Sequence, residues 1–228
     1  MPAKTLATVI LVTWAVLLAL YAVNRYGIRS RFLRAPVVVH VPGDRPAHKP
    51  GTWGSRVGVL FVFGVNIAAL GLALLLAPFP AVEAALRPWR LALPAWANAA
   101  GGVLFVLHSV WGMLVLFYNP NYTPLYRPLS ERFYLATQGP YRWVRHPRYA
   151  TEALLNVTLV LFTGFWFPLL GLLAWKAVYD QARDEERVLM TLAPEAYGPY
   201  RRQTGMLFPR IGRNAVQTGG SDPPGLET

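Results

Sequence analysis

Four long apolar runs divide the chain: Thr5 to Val23, Val57 to Val82, roughly Leu91 to Pro120, and Ala153 to Trp175, free of charged residues apart from His108. Each is about as long as the ~20 helical residues needed to cross ~30 Å of hydrocarbon, so the pattern predicts membrane helices. The first run carries Lys4 on its flank but continues into Tyr21, Asn24 and Arg25 with no small-x-small cleavage site, which reads as a retained anchor. His108 reads as a core histidine bonded to a neighbouring helix.

The polar stretches between the runs set the expected sidedness. Lys and Arg number seven in Asn24 to Arg56, two in Glu83 to Arg90, five in Asn121 to Arg148, and seven from Lys176 onward. The positive-inside rule places the first loop, the third loop and the C-terminal segment in the cytoplasm, with the N-terminus outside. Arg148 and Lys176 then share a side although one apolar run separates them, so that run must turn back. Gly164, Phe165, Trp166, Phe167 and Pro168 sit at its middle, where Gly gives backbone freedom and Pro removes a helical hydrogen bond. A helical hairpin restores the parity, with arms of about twelve apolar residues, ~18 Å each; a single Pro-kinked span with a basic tail outside is the other reading.

The expected fold is therefore all-α, a polytopic transmembrane bundle of about five membrane helices including a C-terminal helical hairpin. Residues 1–120 hold the N-terminal spans and the cytoplasmic loop 24–56, in which Ala35 to Trp53 reads as ordered but irregular. Residues 121–211 form the region that carries chemistry, and 212–228 are a polar tail expected to be disordered.

Composition narrows the function classes. Of 228 residues 54% are hydrophobic, which leaves little for a soluble core. The absence of cysteine excludes disulfides, thiolate nucleophiles and cysteine metal sites, and no histidine cluster suggests a metal. The net charge of +11 lies between the apolar runs, which suits anionic lipid headgroups rather than nucleic acid.

Two clusters carry candidate chemistry. In GPYRWVRHPRYATEALL, residues 139–155, Pro147 suits the first turn of a helix, whose free N–H groups would face Arg142, Arg145 and His146. Those cations either form an anion pocket or anchor a helix end among headgroups. In ARDEERVLMTLAPEAYGPYRR, residues 182–202, Asp184, Glu185 and Glu186 follow the last apolar run. They either pair with Arg183 and Arg187 on a solvated face or, if the hairpin folds back, arrive beside Arg145 and His146. One site would then present both signs of charge, which suits a zwitterion.

These strings resemble a family. Gly139-Pro140-Tyr141-Arg142, Arg145-His146-Pro147-x-Tyr149, Glu185-Glu186-x-x-Leu189, Tyr197, Tyr200 and Pro209 are similar to the isoprenylcysteine carboxyl methyltransferases and their phospholipid methyltransferase relatives. The resemblance covers about residues 133–210 and implies an integral membrane enzyme using S-adenosylmethionine without metal, with a hairpin in this region. It implies that Tyr141, His146, Pro147, Arg148 and Tyr149 line the cofactor pocket, that Glu185 binds the cofactor from the opposite side, and that Phe133, Tyr134, Leu135 and Ala136 supply backbone contacts. Arg145, His146 and Glu186 are the expected catalytic groups, with Glu186, Tyr149 and His146 the available bases. The expected partners are membrane lipids and an amphiphilic or prenylated acceptor, small molecule or protein. Phospholipid amines and small thiols are alternatives within the enzyme class, and a non-catalytic scaffold or transporter is the alternative outside it. Oligomeric state is not legible. One departure stands out: an arginine that the family uses for substrate, four residues before the first glutamate, is here Gln181, and Arg183 is the nearest cation.

Overall fold

The computed structural model describes residues 1–23, 37–40, 53–119 and 132–210. Three helices have the length and composition of a membrane span: α1 (Ala3–Val23), α2 (Trp53–Leu75) and, after the short α3 (Pro80–Leu86), α4 (Ala95–Tyr118). Only 22% of each spanning window is buried inside the protein. Leu18, Leu60, Ile67 and Leu107 point outward, an arrangement favourable in hydrocarbon and costly in water. α2 and α4 are shorter than their apolar runs because proline cuts them. Pro78 and Pro80 cannot continue α2 past Leu75, and Pro80 and Pro94 instead start the helices that follow.

The fourth apolar run turns back on itself. After the one-turn helices α5 (Pro140–Trp143) and α6 (Pro147–Ala150), α7 (Glu152–Thr163) ends at Gly164, whose φ of 82° lies in the left-handed region that glycine enters without strain. A 3-10 turn at Phe167–Leu169 and α8 (Leu170–Leu173) begin the return, which α9 (Trp175–Leu192) completes before α10 (Pro194–Gln203). At the tip, the Leu91 N–H donates to the Gly164 carbonyl at 2.8 Å and Trp89 stacks on Trp166. At the base, His146 and Glu185 face each other at 3.5 Å. The chain that leaves at Pro147 has therefore returned by Glu185, which is the reversal the charge count requires. Three of the five expected helices are of spanning length, and the hairpin's arms, built of shorter pieces, pack against them.

The core lies where α7 is enclosed. Leu6 and Ile10 of α1, Ala69 and Ala73 of α2, Phe105 of α4 and Leu155, Leu159 and Phe162 of α7 form one buried cluster. Phe105 stacks on Phe162 with centroids 4.9 Å apart. Gly101 permits this approach, since a Cβ there would sit 2.3 Å from the Phe162 backbone nitrogen. The Met1 ammonium donates to Asn98 Oδ1 at 2.7 Å, so α1 begins at the hairpin's tip, at the end of the bundle opposite the His146–Glu185 pair.

The all-helical expectation needs one amendment. β1 (Val37–His40) pairs antiparallel with β2 (Arg132–Leu135), with Val37 opposite Leu135 and His40 opposite Arg132. The β-branched Val37–Val39 run favours this ribbon. Leu135 then packs on Tyr197, with Leu189, Met190, Ala196 and Tyr200 around them, which ties β2 to α9 and α10. The expected tail and most of loop 24–56 lie outside the described residues.

Candidate active site

The site is assembled on an extended stretch, residues 144–146, held between two helical turns. Val144 pairs in parallel with Gly205, the Arg145 N–H donates to the Gly205 carbonyl at 2.8 Å, and the His146 N–H donates to the Met206 carbonyl at 3.1 Å. Pro147 then opens α6 as its sequence position predicts. Trp111 of α4 donates through Nε1 to the Pro147 carbonyl at 2.9 Å, pinning this turn to a membrane span.

Arg145 is buried. Its Nε donates to Glu186 Oε1 at 2.7 Å, and Nη1 donates to the carbonyls of Arg201, at 2.9 Å, and Thr204. Arg201 approaches the other Glu186 oxygen at 3.4 Å. Burial works against the Glu186 charge, but the hydrogen bonds and charges of His146 and Arg145 outweigh it and lower this carboxyl to about 2.

His146 lies between the two glutamates. Its Nδ1 is 3.5 Å from Glu185 Oε2 and its Nε2 is 3.5 Å from Glu186 Oε1, while its ring stacks on Tyr149. Burial favours the neutral ring, yet the hydrogen bonds and charges of Glu185 and Glu186 prevail and raise its pKa. Nε2 is buried and faces Glu186 at ion-pair distance. Glu185 is the more open carboxylate, its side chain 16% exposed against 6% for Glu186. Its Oε1 accepts from the Tyr149 hydroxyl at 2.7 Å and from Gln181 Nε2 at 3.2 Å.

Aromatic residues close the site on its outer side. The Tyr200 hydroxyl donates to the Tyr141 carbonyl at 2.7 Å, and Asn119 Nδ2 donates to the Tyr141 hydroxyl at 2.9 Å. Burial raises the pKa of Tyr197 and of Tyr200, so both stay protonated.

The structure thus brings Arg145, His146, Tyr149, Gln181, Glu185 and Glu186 together. Arg142 is exposed, and Arg183 is exposed over the Tyr179 ring. Arg148 turns the opposite way, into the membrane region, where it meets Glu152. Phe133, Tyr134 and Leu135 lend backbone to the ribbon, with Ala136 just beyond it. Sequence reasoning missed Trp111, Asn119 and Thr204, whose roles depend on contacts across 36, 22 and 59 residues. No local pattern signals them. No group of three or more metal-ligating side chains occurs among the described residues.

Two motifs far apart in sequence meet at one end of a membrane bundle, linked by a chain reversal. Residues 96–194 match the phospholipid methyltransferase family. This family consists of integral membrane methyltransferases and includes the isoprenylcysteine carboxyl methyltransferases. The phospholipid methyltransferase match runs from the start of α4 through the hairpin to the start of α10, and leaves residues 1–95 and 195–228 outside it. No curated protein matches the chain at a significant level. Methyltransferases of this family generally use S-adenosylmethionine, and the residues fit that group. Glu185 offers a partly exposed carboxylate to an ammonium or ribose hydroxyls.

Proposed function

We propose that the chain binds S-adenosylmethionine at His146, Tyr149 and Glu185 and methylates an amphiphile that reaches the site from the bilayer. What supports this reading is the convergence of the Arg145–Tyr149 and Gln181–Glu186 segments at one end of the spanning helices, beside a partly open carboxylate. The described arginines Arg142, Arg145, Arg201 and Arg202 lie at this end, and by the positive-inside rule such an end faces the cytoplasm, with the N-terminus on the opposite side.

The cofactor supplies a methyl group already activated by sulfonium charge, and the protein's part is alignment and exclusion of water. Glu185 would hold the cofactor's ammonium, and Tyr149 and Gln181 fix that carboxylate's orientation. Arg145 and Glu186 are positioning residues: each satisfies the other, and together they clamp the 204–206 segment against His146. Glu186, its pKa lowered and its carboxylate held by Arg145, is a poor proton acceptor near neutral pH. Gln181 donates to Glu185 and lacks the bidentate geometry with which a guanidinium grips a carboxylate. That favours an amphiphile other than a free prenylcysteine carboxylate.

The test is calorimetric titration of the detergent-purified protein with S-adenosylmethionine, without added metal. Glu185→Gln and His146→Ala should each weaken binding at least tenfold, about 1.4 kcal/mol. Unchanged affinity in both variants rejects the site.

A further inference from the structure

A second polar cluster lies on the other side of α6, within the spans. Arg148 Nε donates to Glu152 Oε1 at 2.8 Å, and Glu152 is completely buried. Asn66 of α2 donates through Nδ2 to Glu152 Oε2 at 3.5 Å. The Arg148 guanidinium lies 5.5 Å from the Phe63 ring of α2 and faces Gly112 of α4, where a Cβ would be 3.5 Å from Nη1. His108 is one helical turn before Gly112, on the same face of α4. Both α2 and α4 pack on α7 and on α1 but make no comparable contact with each other, so Arg148 occupies the seam between them. Its side chain is 32% exposed there.

A buried ion pair alone would be an ordinary structural feature. The unmatched atoms beside it are not. Asn66 is 3% exposed, yet its Oδ1 has no hydrogen-bond partner among the described residues, and neither has the buried Nδ1 of His108. The contact of Nδ2 with the Glu152 carboxylate fixes which end of the Asn66 amide is which, so the unmatched atom is a carbonyl oxygen that can only accept. An unmatched buried polar atom costs about 1–3 kcal/mol, and hydrocarbon provides no water to relieve it. Arg148 and Glu152 already neutralise one another, and a further charge at this depth is expensive.

We propose that Asn66 and His108, framed by the Arg148–Glu152 pair, form a specificity subsite for an uncharged hydrogen-bond donor within the acceptor amphiphile, of which a secondary amide N–H is the best match. The donor meets Asn66 Oδ1, and His108 Nδ1, as acceptor or donor according to its tautomer, completes the contact. The apolar tail extends through the seam into the bilayer. The proposal rests on the amphiphile-methylating reading but concerns recognition below the reacting head, not the transfer itself.

Binding of N-hexadecylacetamide and of hexadecyl acetate in detergent, followed by tryptophan fluorescence, tests it without turnover. The two probes share shape and length and differ in one N–H. Wild type should bind the amide at least threefold more tightly, and Asn66→Leu should remove that preference while leaving affinity for S-adenosylmethionine unchanged. Asn66→Leu also removes the Nδ2 donor to Glu152, so His108→Phe, which leaves that contact in place, is the second variant and should reduce the preference. Equal binding of amide and ester by the wild type overturns the subsite, as does a preference that survives in both variants. Failure to bind S-adenosylmethionine in the same preparation strikes the proposed function instead.

Discussion

Replacing Glu186 by Gln keeps the shape of the side chain and removes its charge. Arg145, itself only 9% exposed, would be left buried with two carbonyls for partners. Breaking a buried pair from one side costs about 3–5 kcal/mol. The lowering of the Glu186 carboxyl from 4.5 to about 2 corresponds to about 3 kcal/mol at ~1.4 kcal/mol per pH unit, in agreement with that range. For a chain of this size ~1 kcal/mol moves Tm by about 2–4 °C, so Glu186→Gln should lower Tm by roughly 6–20 °C. Glu185→Gln is the control. Its carboxylate is more exposed, and an amide oxygen can still accept from Tyr149 and Gln181, so its cost should stay under about 1 kcal/mol while cofactor affinity falls. Thermal unfolding in detergent, read by tryptophan fluorescence, decides between them. Equal Tm losses in the two variants would refute the division into a structural and a binding carboxylate. Because the Glu186 pKa is lowered on folding, its contribution is complete above pH 4.5 and is lost as pH falls toward 2. The gap between wild type and Glu186→Gln should close on that acid side.

The His146 pKa is raised on folding, so its contribution is complete below 6.5 and is lost as pH rises through the folded value; the Tm advantage of wild type over His146→Gln should shrink as pH increases above 6.5, and a constant gap would contradict the raised pKa. Gly101→Leu should separate α4 from α7, since even a Cβ would meet the Phe162 nitrogen at 2.3 Å; the expected result is loss of monodisperse protein on gel filtration, and normal elution with unchanged Tm would oppose it. Reporter fusions after Val23 and after Arg210 should both read cytoplasmic, and opposite locations would eliminate the proposed orientation.

The hairpin was legible because two independent signals agreed: the Lys and Arg counts demanded a reversal, and Gly164 and Pro168 offered a place for it. Span ends were less so, because hydropathy runs continue through Pro78, Pro80 and Pro94, which end or begin helices without interrupting apolar character. The β1–β2 ribbon was missed because Val37 finds its partner at Leu135, far along the chain, and four residues carry no period of their own. Within the site, the sequence pointed to His146 and Glu185 and to Arg145 as a catalytic group, but not to what Arg145 touches. An arginine in that string reads the same whether it meets a ligand or, as here, Glu186 and two carbonyls. Glu152 drew no notice at the edge of an apolar run, because its burial depends on Asn66 and Arg148 reaching it from elsewhere.

The pairing of residues 144–146 with 204–206 also orders events during synthesis. Thr204 leaves the ribosome 59 residues after Arg145, which at ~5–20 residues per second is a delay of roughly 3–12 s. Throughout that interval all three long spans can already be in the membrane, while Arg145 lacks both its carbonyl partners and Glu186 for most of the wait. A nascent chain is thus anchored well before the 144–146 stretch can meet its partners, and the Arg145–Glu186 clamp is among the last contacts to close.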